Sequence, residues 1–264
     1  MRFLVSIYHC DKTIISIERS GWNYLMLVIN IAYDIEALGG DGEYTFFDHS
    51  WKPNVFLQAP FSYRTPLSRE QREKMKSKKH YTLYHLHALP NTNMPMKLHL
   101  KKMQGVLLIR NIFDQALSSL FYHGYAISQQ KEFVSGTRVD HTIRYYNEWG
   151  KFFEKNSGFV AVKYEELIED AFHTIKTVSE HLDIGLTDSS IIRALALSTK
   201  EEMFKRMTSE ELKDSERVNK RPDSVRFSAE SLSTLYDRIK KEVRYDFGYD
   251  FGKLYKEKCD QIDG

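Results

Sequence analysis

The sequence predicts an α/β fold, a parallel sheet flanked by helices with a helical C-terminal part, and three observations predict it. Short, wholly apolar runs such as Val106–Ile109 have the character of strands buried on both faces. Segments with apolar residues at helical spacing follow those runs, so strands alternate with helices, the order of a parallel sheet with both faces covered. The runs also end in polar groups, Arg19, His87, Arg110 and Tyr164, and open parallel sheets bind ligands beyond the carboxyl ends of their strands.

In chain order, Thr13–Ile17 reads as the first strand and Leu25–Leu38 as the first helix, joined through Arg19-Ser20-Gly21. That order aims backbone N–H groups and the positive end of a helix dipole at one spot, and Arg19 adds a full charge at its rim. An anion suits such a spot; the alternative is a turn that needs Gly21 only for its backbone angles. Gly39-Gly40-Asp41-Gly42 breaks the pattern, and Tyr44–Phe47 reads as a short strand. Trp51–Thr65 reads as an irregular aromatic loop, either a functional surface or a covering flap. Ser68 and Gln71 make a capping box for a short helix reaching about Lys76.

Tyr81–His87 alternates as a strand, which puts His85 and His87 on one face. After the strand Val106–Ile109 the spacing predicts helices over Phe113–Ser128 and Asp140–Lys155. Phe159–Tyr164 is the next strand, followed by helices over Glu165–Leu182, Ser189–Leu197, Glu201–Arg206 and Ala229–Val243. The stretch 208–223 is charged and nearly devoid of apolar residues, and reads as a mobile lid. No second core follows it, so residues 1–264 read as a single domain.

Composition narrows the function. A net charge of +2 carries no global field for nucleic acid, so any phosphate binding is local. Cys10 and Cys259 lie far apart without motif spacing, which suits a reducing compartment and suggests neither a disulfide framework nor a cysteine-rich metal site. No run approaches a membrane span, and Met1–Val5 is too short for a signal peptide, so the expected location is cytoplasmic.

Arg110-Asn111-Ile112-Phe113-Asp114-Gln115-Ala116-Leu117-Ser118, preceded by an apolar strand, resembles the Arg-Asn-x-x-Asp-x-x-x-Ser signature of sulfotransferases that use 3′-phosphoadenosine 5′-phosphosulfate (PAPS). The resemblance implies a P-loop-like sulfotransferase fold in which Arg110 and Ser118 hold the cofactor's 3′-phosphate. A guanidinium forks onto phosphate oxygens, and a hydroxyl on the following helix reaches the same anion. Arg19, Ser20, Gly21, Asn23 and Tyr24 fall in register on the family's 5′-phosphosulfate loop. There Glu18 replaces a proline, Trp22 a threonine, and Tyr24 the tryptophan that stacks on adenine, so backbone groups or Asn23 replace the lost hydroxyl contact.

The family's catalytic histidine matches His87, with His85 where the family has a lysine. The bland alternatives are a structural histidine in the sheet or a His-x-His metal pair completed by His99 or His123. Val162–Leu167 is similar to the segment that brings a tyrosine, here Tyr164, near the adenine, and Ser198 falls at an adenine-contacting threonine. Lys220 and Arg221 precede Phe227-Ser228-Ala229-Glu230, where the family has Phe-Thr-Pro-Glu; they either reach the 3′-phosphate from the lid or form a solvated charge run.

The resemblance thus implies sulfuryl transfer from PAPS to a hydroxyl or amine, with His87 as base, Arg19 stabilising developing charge, 3′-phosphoadenosine 5′-phosphate (PAP) as product and no metal. Two alternatives stay open. A P-loop kinase would need Gly-x-x-x-x-Gly-Lys-Ser/Thr and an acidic Mg²⁺ ligand at a strand end, which this chain lacks. A non-catalytic nucleotide-binding protein would bind the cofactor without consuming it. The partner is a small-molecule acceptor, and oligomeric state is open because the family's C-terminal dimer motif is not recognisable. Phe47, Asp48, Trp51 and His85 are the candidate acceptor contacts. Asp41, Glu43 and Asp48 favour a polar or guanidinium-bearing natural product as acceptor.

Overall fold

The computed structural model describes residues 12–38, 56–58, 82–86, 89–90, 100–199, 201–202 and 225–263. Among these residues five strands form one wholly parallel sheet in the order β2-β3-β1-β4-β5: β1 is Lys12–Ser16, β2 Phe56–Gln58, β3 Thr82–Leu86, β4 Gln104–Ile109 and β5 Phe159–Lys163. The α/β class read from the sequence is the one observed. Because every pair is parallel, all carboxyl ends lie along one edge, and each crossover must pass over a face of the sheet.

β1 is the central strand and is buried throughout. Alternation along β1 and β4 divides their side chains between two cores. Ile15, Leu107 and Ile109 enter the first. They meet Phe113 of α2 (Ile112–Tyr122), Tyr146 and Trp149 of α4 (Thr137–Phe153) and Leu235 of α8 (Ala229–Glu242). Ile14, Val106 and Leu108 enter the second, against Leu25 and Val28 of α1 (Trp22–Leu38). Ile175 of α6 (Ala171–His181) and Ile191 of α7 (Asp188–Leu197) complete that core.

Several boundaries differ from the sequence reading, for local reasons. α2 stops at Tyr122 instead of Ser128, because Gly124 takes φ +77° and Tyr125 N–H closes onto Leu120 O at 3.1 Å. A 3₁₀ turn, Ile127–Gln129, and α3, Gln130–Val134, follow. The single helix read over Glu165–Leu182 is two, α5 (Tyr164–Glu169) and α6. Asp170 divides them, its carboxylate accepting the His173 N–H at 3.2 Å as an N-cap. Tyr164 therefore opens a helix and is not the last strand residue.

β2 lies inside Trp51–Thr65, which the sequence presents as irregular. Helix α9, Phe251–Asp263, was not foreseen. It turns Phe251, Leu254, Tyr255, Cys259 and Ile262 against the first core. The expected strand at Tyr44–Phe47, the helix at Ser68–Lys76 and the lid at 208–223 lie outside the described residues. Among the described residues no helix is long and apolar enough to cross a membrane.

Candidate functional site

The segment after β1 is built to expose donors. Gly21 O accepts the first helical bonds of α1, from Tyr24 N and Leu25 N, each at 3.1 Å. The N–H groups at the start of α1 accordingly have no intrahelical acceptor. Arg19 sits at φ +68°, a left-handed conformation that a side-chain-bearing residue adopts at a cost of about 1–3 kcal/mol and that concentrates at functional sites. Gly21, at φ +83°, is required twice over. A Cβ there would also lie 2.3 Å from Tyr164 Cδ2, far closer than van der Waals contact allows.

Helix α2 clamps this segment from the neighbouring strand. Arg110 Nη1 donates to Arg19 O at 2.9 Å, and Gln115 Nε2 donates to Glu18 O at 3.1 Å. Arg19 Nε donates to Ser118 Oγ at 3.0 Å, and the Tyr122 ring centroid lies 5.0 Å from the Arg19 guanidinium carbon. Positions 115, 118 and 122 recur at helical spacing, so one face of α2 holds the whole turn. Arg110 is supported from β5's side by Tyr164, whose ring centroid is 4.3 Å from its guanidinium carbon. Tyr146 OH donates to the Arg110 carbonyl.

Two guanidinium groups from adjacent strand ends thus share one spot, with the Ser118 hydroxyl of α2 bonded to one of them. Burial pushes the Arg19 guanidinium below its ordinary value, and the charge of Arg110 pushes the same way, against Tyr122, Tyr164 and Glu18. Ser20 Oγ and Arg110 Nε are buried and have no hydrogen-bond partner among the described residues. Buried donors without acceptors cost about 1–3 kcal/mol each. Here both belong to the arginine-rich edge, where an anion would supply acceptors. Cation repulsion and orphaned donors make the site chemically suited to a phosphate or sulfate oxyanion.

Among the described residues, the carboxylates around this spot, Glu18, Asp114 and Glu165, each have a partner. Glu18, standing where the family loop has proline, hydrogen-bonds His123 Nε2 through Oε2 at 3.2 Å. That contact also accounts for His123, considered above as a metal ligand; among the described residues no three His, Cys, Asp or Glu side chains form a metal-binding group. Asn111, 2% exposed, caps α2 by accepting the Asp114 N–H at 2.9 Å, and its amide donates to Glu165 Oε1 at 2.7 Å. Tyr249 OH holds the other Glu165 oxygen at 2.6 Å. Burial pushes the Asp114 carboxyl up, but hydrogen bonds from Asn111 and Lys258, with the charge of Arg110, hold it below its ordinary value.

Of the residues singled out in the sequence, Arg19, Ser20, Gly21, Arg110, Ser118 and Tyr164 come together. Tyr24 is half-buried near Tyr164, with burial and then Tyr164 raising its phenol. Trp22 packs against the second core beside it. Ser198 closes α7, is buried, and donates its hydroxyl proton to Ala194 O at 2.6 Å. Of His85 the backbone is seen, paired in register with Ile14 in β1. The side chains of Asn23 and His85, and all of Phe47, Asp48, Trp51, His87, Lys220 and Arg221, lie outside the described residues. Glu165, Tyr249 and Lys258 went unseen in the sequence, because their partners stand between 54 and 144 positions away. Gln115 and Tyr122 could have been found from their spacing to Ser118.

Residues 10–261 match the protein family described as Sulfotransferase domain. No curated protein matches the chain. Among solved structures it is similar to mouse sulfotransferase SULT7A1 complexed with PAP, with 16% identity and a TM-score of 0.60 over 97% of this chain and 93% of that one. It is also similar to retinol dehydratase in complex with androsterone and inactive cofactor PAP, with 15% identity and a TM-score of 0.51 over 91% and 82% of the two chains. At these identities the structural likeness concerns the fold alone.

Proposed function

The chain belongs to the sulfotransferase family, and from that premise we propose that it transfers a sulfuryl group from PAPS to a hydroxyl or amine of a small-molecule acceptor. The observation that carries this reading is the bond from Arg110 Nη1 to Arg19 O, which joins two arginine-tipped strand ends into one electropositive edge. The residues present fit a doubly anionic nucleotide: Ser20 Oγ and Arg110 Nε are buried without acceptors among the described residues, and two guanidinium groups stand at adjacent strand ends. Arg19, Ser20, Gly21, Trp22, Asn23 and Tyr24 would hold the 5′-phosphosulfate, and Arg110 and Ser118 the 3′-phosphate. Tyr164 and Ser198 would border the adenine, and Lys220 and Arg221 would close over it from 208–223.

When bound, PAPS supplies an activated sulfuryl group on a phosphate leaving group. Arg19 and the N–H groups at the start of α1 hold negative charge where it grows, a role preorganised donors fill at little reorganisation cost. Ser118, already accepting from Arg19, keeps its own proton for an anion and fixes the arginine's direction. His87 takes the acceptor's proton, as an imidazole of near-neutral pKa can. His85, Phe47, Asp48 and Trp51 would be the acceptor contacts, and a polar or guanidinium-bearing natural product the acceptor class. Residues 1–264 act as a single domain, in the cytoplasm.

Two measurements test this. Radiolabelled PAPS incubated with a panel of acceptors should yield a labelled product; tight cofactor binding without transfer to any acceptor would leave a binding protein. In calorimetry Arg110→Ala should weaken PAP by about 2–3 kcal/mol, the worth of a charge-assisted contact. An unchanged affinity would remove Arg110 from the site.

A further inference from the structure

We propose that Lys258, from the last helix of the chain, is a positioning residue for 3′-phosphate recognition: it neutralises Asp114, so that the charge of Arg110 stays directed at the nucleotide. This rests on the nucleotide reading above. Lys258 Nζ donates to both Asp114 oxygens, at 2.9 and 3.0 Å, and the two side chains are only 20% and 22% exposed. Asp114 stands on the first turn of α2, four residues after Arg110, close enough for the two charges to interact. Without Lys258, a partly buried carboxylate would stand uncompensated within electrostatic range of the guanidinium that is to bind an anion. Its charge would offset that of Arg110 and repel the 3′-phosphate.

The rest of the neighbourhood is arranged to the same end. Glu165, a second carboxylate on the Arg110 side of this edge, has one oxygen on Asn111 N and Nδ2, at 3.1 and 2.7 Å, and the other on Tyr249 OH. Glu165 is therefore occupied by neutral donors, and Lys258 is the cation that meets Asp114. Asn111 Nδ2 also donates to Asp114 Oδ2 at 2.9 Å, tying the two carboxylates together. α9 is seated independently of this pair by its apolar face, with the Tyr255 ring stacked on Tyr236 at 4.1 Å. Removing the charge of Lys258 should accordingly leave α9 in place.

The experiment measures affinities of the full chain for PAP and for AMP, which lacks the 3′-phosphate, at fixed salt. Lys258→Met keeps the aliphatic stem and removes the charge. It should lower PAP affinity about tenfold and AMP affinity less than about twofold, as expected for one nearby charge at a partly screened site. Lys258→Arg should restore the wild-type ratio, and so should Lys258→Met combined with Asp114→Asn. Asp114→Asn alone should hold or raise the preference for PAP, which tests the idea even if Lys258→Met fails to fold. Equal losses for both nucleotides, or a fall in the PAP preference of Asp114→Asn, would overturn it. A wild-type protein that binds PAP no tighter than AMP would instead sink the nucleotide reading itself.

Discussion

Gly21→Ala is the sharpest test of how the β1 turn, Tyr164 and Arg110 depend on one another. The new methyl meets two costs. Its backbone must stay at φ +83°, which is about 1–2 kcal/mol unfavourable for an L-residue. Its Cβ would lie 2.3 and 2.5 Å from Tyr164 Cδ2 and Cε2, whereas carbons in contact sit about 3.5–4.0 Å apart. The ring must retreat by about 1 Å or more, a core overpacking of about 1–3 kcal/mol. A total near 3 kcal/mol corresponds to a fall of roughly 5–6 °C in Tm for a chain of this size.

Gly124→Ala supplies the control. Gly124 is also left-handed, at φ +77°, but nothing lies within 4 Å of its added methyl, so it carries the backbone cost alone. Thermal unfolding of both variants, with and without PAP, separates the two effects. Gly21→Ala should lose more stability than Gly124→Ala, and should lose PAP affinity as well, because the displaced ring is the one beneath Arg110. Combining Gly21→Ala with Tyr164→Ala should recover part of the loss beyond additivity, the signature of residues in contact. Equal Tm shifts for the two glycine variants, with unchanged PAP binding, would refute the close-approach argument.

His87→Ala should retain PAP affinity and lose about 10²- to 10⁴-fold in turnover, as for removal of a general base; wild-type turnover in single-turnover assays would exclude His87 as that base. Asp114, held below its ordinary value, contributes stability that is full above about pH 4 and lost as pH falls through its folded value. The stability gap between wild type and Asp114→Asn in urea unfolding should therefore shrink in acid. A gap that widened as pH fell would contradict the sign of the shift.

The parts legible in the sequence were those whose physics is local. Arg110 and Ser118 could be placed on one side because a strand end followed by a helix fixes their relation over eight residues. The donor-rich turn at Arg19–Gly21 was legible for the same reason, as strand, glycine and helix follow without a break. The division at Asp170 was visible in principle, since an aspartate interrupts the run, but a continuous apolar period over Glu165–Leu182 masked it. α9 carried its signal too, with apolar residues at 251, 254, 255, 259 and 262, diluted by charged residues between them. What could not be read were the contacts made across the fold. Nothing in a sequence announces that Lys258 meets Asp114, or that the side chain replacing a family proline, Glu18, has His123 as its partner.

Those long-range contacts explain how a chain of net charge +2 can build an anion site without a global field. Among the described residues three carboxylates stand near the two arginines: Glu18, Asp114 and Glu165. Each is turned to a partner of its own, an imidazole, an ammonium, or an amide and a phenol. Arg19 and Arg110, by contrast, direct their seen hydrogen bonds to neutral oxygens, Ser118 Oγ and the Arg19 carbonyl. Neutral acceptors orient a guanidinium without cancelling its charge, whereas a carboxylate on either arginine would satisfy it internally. The positive potential is thus produced by the choice of partners and not by an excess of basic residues. It is confined to the edge where the strands end, within about one Debye length of the two guanidinium groups.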